Sequence, residues 1–296
     1  MAEGGSSVQG WEPSTVVSDE LVDPSPVAAL AALFDDGVPV PGPGAELPPL
    51  WHWAALARWP VSSVLGGDGH PVRGSFLPPV GLPRRMFAGG EVVFHGPLRV
   101  GETVRRQSTV ESVTEKSGRS GRLVVVVVRT RLTGQDGSPG LEERQDLIYR
   151  EAVATTGPAA AAEEAVAARA AGSPFRRAGA WEWHFDTDPT LLMRFSAATA
   201  NAHRIHYDWP YATRVEGYPG LVVHGPLMTL ALAETLRLER RPERVTRIAH
   251  RNDRPLFCGQ PARLLGRRTA DGFALDLAGP AGAATGPHTT LAVTAG

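Results

Sequence analysis

The chain has a single cysteine, Cys258, in 296 residues. One thiol cannot form an internal disulfide, and no second cysteine joins it in a zinc-ligand spacing. So little cysteine fits a reducing compartment, and the cytoplasm is the expected location. No stretch approaches the roughly eighteen consecutive apolar residues of a membrane span, so no membrane partner is expected. Residues 1–18 are rich in Gly and Ser and carry Glu3 and Glu12. They lack the basic start and apolar core of a signal peptide and are expected to be a flexible tail. Nor is there an excess of charge, since thirty Lys and Arg stand against thirty-one Asp and Glu. Nucleic acid is therefore not an expected partner, although a local basic patch for one phosphorylated coenzyme is compatible with this balance.

What the chain does have is length for two cores of about 130 to 150 residues each. Residues 159–171 are almost entirely Ala and Glu, bracketed by Gly157-Pro158 and Gly172-Ser173-Pro174. They read as an interdomain linker over 158–176, helical by composition. That leaves an N-terminal domain over 19–157 and a C-terminal domain over 177–296. In the first, strand patterns at 91–95, 103–114, 123–132 with its five valines, and 146–154 are separated by turn-forming runs. Short turns between strands imply an antiparallel sheet. Helix-like spacing marks 24–34 and 50–59, and the Gly- and Pro-rich stretch 66–81 breaks the pattern.

In the second domain Asp188-Pro189 reads as an N-cap followed by proline at the first helical position. A helix from about Pro226 to Leu238 is apolar almost all round, the mark of a helix buried on most sides. Strands at 245–252, 262–267, 273–277 and 289–294 follow, with Asp271-Gly272 as a hairpin signal. The fold class expected is α+β, with an antiparallel sheet curled around a buried helix. Pro97-Leu98-x-x-Gly101-Glu102 recurs as Pro255-Leu256-x-x-Gly259-Gln260 between strands, which points to a duplicated unit.

The densest chemistry lies in Asn201-Ala202-His203-Arg204-Ile205-His206-Tyr207-Asp208, with His224-Gly225-Pro226 opening the buried helix soon after. Adding water across a double bond conjugated to a thioester needs a base for the water and a proton donor for the α-carbon. It also needs hydrogen bonds to the thioester oxygen. His206 can be that acid or base, Asn201 can hold a water, and the Gly225 N–H is an orphan donor at a helix start. His203 and His224 are candidates to contact substrate. Whether Asp208 orients His206 depends on local geometry. Two other chemistries use the same residues. His206 and Asp208 with His250 or His288 have the donor types of a non-haem iron oxygenase, and His203-x-x-His206 can begin a zinc site. A non-catalytic acyl-thioester-binding protein is the third reading. Arg84, Arg85 and Arg119 are candidate grips for a substrate carboxylate or coenzyme phosphates.

The runs 195–212 and 220–227, which contain these residues, resemble the MaoC-like hydratases of the hot-dog fold. The similarity is strongest to the branch of 3-methylfumaryl-CoA (mesaconyl-C4-CoA) hydratase and mitochondrial-type 3-hydroxyacyl-thioester dehydratase. Further matching pieces are Asp23-Pro24-Ser25-Pro26, Leu47-Pro48-Pro49-Leu50-Trp51-His52-Trp53, Gly74-Ser75-Phe76-Leu77-Pro78-Pro79, Pro83-Arg84-Arg85-Met86 and Arg254-Pro255-Leu256-Phe257. The resemblance implies a tandem (double) hot-dog chain whose C-terminal unit is catalytic and whose N-terminal unit completes the substrate groove. It implies a hydro-lyase for coenzyme A or carrier-protein thioesters, with no metal and no cofactor, and a homodimer is compatible with it. Most such hydratases carry Gly-Asp-x-Asn-Pro-Ile/Leu-His, the Asp and His being the catalytic pair. Here those positions hold Asn201 and His206. The asparagine departs from the pattern and shifts proton transfer toward His206.

Overall fold

The computed structural model describes residues 10–118, 121–151, 172–282 and 286–296. Its first half contains β1 (Thr15–Leu21), α1 (Pro24–Phe34), α2 (His52–Ala55), β2 (Arg84–Phe94), β3 (Thr103–Gly118), β4 (Gly121–Gly134) and β5 (Pro139–Arg150). The second half contains β6 (Phe175–Gly179), β7 (Glu182–Phe185), α3 (Pro189–Ala198), α4 (Gly225–Leu238), β8 (Val245–Asn252), β9 (Ala262–Thr269), β10 (Gly272–Ala278) and β11 (Thr289–Ala295). All strands join one antiparallel sheet in the order β1-β3-β4-β5-β2-β8-β11-β10-β9-β7-β6. The halves meet edge to edge where β2 pairs with β8, from Gly89 opposite Arg251 to Val93 opposite Arg247.

The sheet order carries the duplication that the repeated signature suggests. In each half a strand precedes the helices, a second follows them, and a three-strand meander fills the sheet between those two, with β6 an additional edge strand in the second half. The first half reads β1-β3-β4-β5-β2 and the second β7-β9-β10-β11-β8. The two Pro-Leu signatures occupy equivalent places, just ahead of β3 and just ahead of β9. This is the tandem hot-dog arrangement expected.

Local sequence explains the elements that matter for the site. Alternation in β4 buries Val124, Val126 and Val128 on one face, the period-two signature of a half-buried strand. In α4 every residue from Leu227 to Leu236 is buried. The helix therefore lies in the concave side of its sheet, against β9, β10 and β11. Asp188 caps α3 by accepting from Leu191 N at 2.7 Å, and Asp23 caps α1 through Ser25 N at 2.8 Å. α3 ends in a left-handed turn: Ala200 has φ +51°, Ala200 N bonds Ala197 O, and Asn201 N bonds Ser196 O at 2.9 Å.

Several expected boundaries move. The tail over 1–18 is too long, because Thr15 already pairs with Thr109 in β1. The helix expected over 50–59 shrinks to the four residues of α2, since Leu50 has φ +69° and Pro60 follows closely. Strand β5 starts at Pro139, seven residues before the expected 146, and β6 begins inside the span 158–176. The helical linker at 159–171 and Arg119 lie outside the described residues.

Candidate active site

A cavity of about 890 Å³ runs between the two halves. One wall comes from the turn after α3 and the start of α4, and brings Asn201, His203, His206 and Gly225 together. The other comes from β2 and the irregular stretch before it, including His70, Arg85 and Phe87.

His206 sits in a 3-10 turn, Arg204–His206, and is buried. Its Nδ1 lies 2.7 Å from the Val222 carbonyl. A carbonyl only accepts, so Nδ1 carries the proton and Nε2 is left as an acceptor. Burial pushes the imidazole down to about 3, against the opposing effect of the Val222 bond. It is therefore neutral, and a base, at ordinary pH. Burial together with the neighbouring His70 and His206 brings His203 down to about 2.

Asn201 Oδ1 accepts from the backbone N of His203 at 3.1 Å, a local Asx turn that fixes the carboxamide plane. Its amide group remains available for a ligand or water. Gly225 is the first residue of α4, where backbone N–H groups have no intrahelical partner and the helix dipole is positive. A Cβ there would lie 3.1 Å from Asn252 Nδ2 and 3.2 Å from Phe87 Cδ1, so glycine keeps the backbone open.

His224 is the correction among the expected substrate contacts. As the N-cap of α4 it is wholly buried and turned away from the cavity. Its Nε2 pairs with Ser196 Oγ at 2.8 Å, and its ring stacks on His206 with centroids 3.6 Å apart. It supports His206 from behind. Burial, reinforced by His206 and His203, keeps it far below the usual histidine range.

Asp208 does not orient His206. Its carboxylate faces Arg204, at 2.7 Å from Nη2 and 2.9 Å from Nε, and accepts from Tyr211 N. The Val222 carbonyl does the orienting in its place. This arrangement also dismantles the oxygenase reading, because the carboxylate is occupied by a guanidinium. His288 bonds the Pro255 carbonyl, and His250 lies between Phe87 and Trp53.

Three residues of the site were not singled out from sequence. Asp68 and His70 reach it from the stretch 66–72, with His70 Nδ1 donating to Asp68 Oδ2 at 3.1 Å. The His70 ring lies 4.2 Å from that of His203. Burial works against ionisation of Asp68, yet the His70 side chain and N–H hold its carboxyl below the usual carboxylate range. Asp68, His70 and His203 are also the one cluster among the described residues with donor types and proximity for a metal ion. The third is Phe87, which packs on Gly225. Only the Asp68-x-His70 pair left a trace in the sequence, inside a segment whose glycines masked it.

Residues 50–258 match the family model for hydroxyacyl-thioester dehydratase type 2. Mesaconyl-C(4)-CoA hydratase of Chloroflexus aurantiacus is 42% identical over 268 residues, covering 90% of this chain and 91% of that protein. The mitochondrial hydroxyacyl-thioester dehydratase type 2 of Schizosaccharomyces pombe is 24% identical over 298 residues, covering 90% of this chain and 95% of that one. A conserved hypothetical protein of Mycobacterium tuberculosis with a double hotdog fold superposes with a TM-score of 0.54. It is 18% identical, covers 96% of this chain and 95% of its own, and speaks to the fold alone.

Proposed function

The chain belongs to the hydroxyacyl-thioester dehydratase type 2 family, and from that premise we propose that it is a reversible hydro-lyase on 2-enoyl and 3-hydroxyacyl thioesters. The observation that carries the reading is the tautomer of His206. With Nδ1–H given to Val222, Nε2 is a neutral base on the cavity wall beside Asn201 and the α4 N-terminus.

In the hydration direction the Asn201 amide donates to a water and His206 Nε2 takes its proton. The water oxygen bonds to the β-carbon while the π pair moves onto the thioester oxygen, which the Gly225 N–H and the α4 dipole stabilise. The imidazolium so formed is a strong acid in this buried place and returns its proton to the α-carbon. One group serves both proton transfers, so water adds to a single face.

The second half of the chain supplies this chemistry, and the first half closes the groove. The acyl carrier is coenzyme A, as in the name of the 42% relative, or a carrier protein. That relative's name also makes an unsaturated dicarboxylic monothioester the first substrate to try.

Loss of enone absorbance with crotonyl, fumaryl and mesaconyl thioesters tests the activity directly. The variant His206→Ala should lower kcat by about a hundredfold or more, the scale of general acid–base groups. Near-normal turnover would sink the assignment. Turnover should also survive exhaustive chelation, which separates proton chemistry from a metal on Asp68, His70 and His203.

A further inference from the structure

Arg84 and Arg85 sit side by side on β2 and face different surroundings. Arg84 is satisfied: its Nε lies 3.2 Å from Glu216 Oε2, a second nitrogen bonds the Glu216 carbonyl, and the guanidinium covers the Tyr218 ring. Arg85 is half-buried and lines the cavity, and its side chain forms no hydrogen bond or ion pair with any described residue. The charges and dipoles that reach it are Tyr149, Asp68 and Arg73. Asp68 is committed to His70. Arg73 is a second cation, held by the carbonyls of Val80, Leu82 and Pro83. The corner therefore carries more positive charge than the protein neutralises, and an enclosed charge without a partner is costly. An anionic ligand group would remove that cost.

The position says which anion. Arg85 shares a face of β2 with Phe87, and Phe87 lies against Gly225. Two residues along a strand span about 7 Å. From a thioester carbonyl at Gly225, a four-carbon acyl chain covers about 4 Å, and a charge-assisted hydrogen bond closes about 3 Å more. The field of Arg85 is felt at both His70 and His203, which places it at the reacting end of the cavity. A coenzyme phosphate would be separated from the thioester carbonyl by the whole pantetheine arm, well beyond this distance.

We propose that Arg85 forms an anion subsite at the acyl end of the cavity and takes a carboxylate on the acyl group. The substrate class is then the monothioester of an unsaturated four-carbon dicarboxylic acid. The substrate class rests on the hydro-lyase reading, whereas the subsite itself can be tested without turnover. Succinyl-CoA and butyryl-CoA differ by a carboxylate in place of a methyl, and neither has a double bond to hydrate.

Calorimetry on the full chain should show succinyl-CoA bound about tenfold or more tightly than butyryl-CoA, the scale of one charge-assisted bond. Arg85→Met should erase that ratio, and Arg85→Lys should keep part of it, since a point charge cannot pair in the bidentate way. Equal binding of the two thioesters by the unsubstituted protein overturns the subsite, even if Arg85→Met fails to fold. So does an equal loss of affinity for both ligands in Arg85→Met. An equal loss for free coenzyme A would move Arg85 to the phosphates and overturn it as well. A preserved succinyl preference with no turnover of any enoyl thioester supports the subsite and overturns the hydro-lyase reading instead.

Discussion

Replacing Asn201 by aspartate changes one group and adds one charge, and so isolates what the amide does. Oδ1 would still accept from His203 N, so the Asx turn survives. The new carboxylate would stand beside His206 and favour its charged form, raising a pKa that burial holds to about 3. Asn201→Asp should therefore fold and retain or increase turnover on simple enoyl thioesters. Its kcat/KM profile should gain an acidic limb between about pH 4 and 7, as a carboxylate begins to titrate. An unfolded variant would mean that the asparagine is structural. The unsubstituted protein has no titrating carboxylate at that position, and its acidic limb should lie lower.

The element that joins the two walls of the site is the stretch 66–72. It crosses from the first half and lies on the turn after α3. Arg204 N bonds Asp68 O at 2.9 Å and Arg204 Nη1 bonds Gly67 O at 2.9 Å. Gly69 is the contact point: it has φ +91°, and a Cβ there would fall 1.8 Å from Ala202 O. No side chain fits without separating the two segments. Gly69→Ala should displace His70 from His203 and lower kcat/KM by roughly tenfold or more, the scale on which small misplacements act. Far-UV circular dichroism should be unchanged, since no helix or strand depends on this residue. Full activity in this variant would show that the stretch does not position the site.

Across the whole molecule, burial takes in five histidines among the described residues, His52, His203, His206, His224 and His250. It lowers His203 to about 2, His206 to about 3 and His250 to about 4. An unfolded histidine titrates near 6.5, so below that pH the unfolded chain binds protons that the folded chain refuses. The stability these histidines contribute is thus fully present above about pH 6.5 and falls as the pH drops toward these folded values, while Glu234, raised to about 8 by burial, offsets part of one histidine's loss. Each such histidine contributes about 1.4 kcal/mol of loss per pH unit. Urea midpoints should fall steeply from pH 7 to 5. A flat or rising profile would mean that these imidazoles are solvated. Buried Glu143 adds its own loss at lower pH. Burial opposes its ionisation, but His52, Gln145 and Trp53 bring it down to about 2.

Local order was legible in the residues because its causes are local. The apolar run of α4, the Asp188 cap, the Asp271-Gly272 hairpin and the valines of β4 each act over a few positions. Asn201, His206 and Gly225 were legible for the same reason, since one turn and one helix start hold them. The end strands β1, β6 and β7 escaped notice because they are short or solvent-facing, and their alternation is weak. The two walls of the cavity were decided only in three dimensions. The pairing of β2 with β8 brings Arg85 and Phe87 to a helix start that is 138 residues away at Phe87. The Gly69 contact brings His70 to His203. The same packing turns His224 behind His206 and spends Asp208 on Arg204, although both sit in the motif itself. Sequence determined which groups can move protons here, because that is a property of side-chain chemistry. Tertiary structure decided which of them face the cavity and what they meet there, because orientation depends on contacts between segments far apart in the chain.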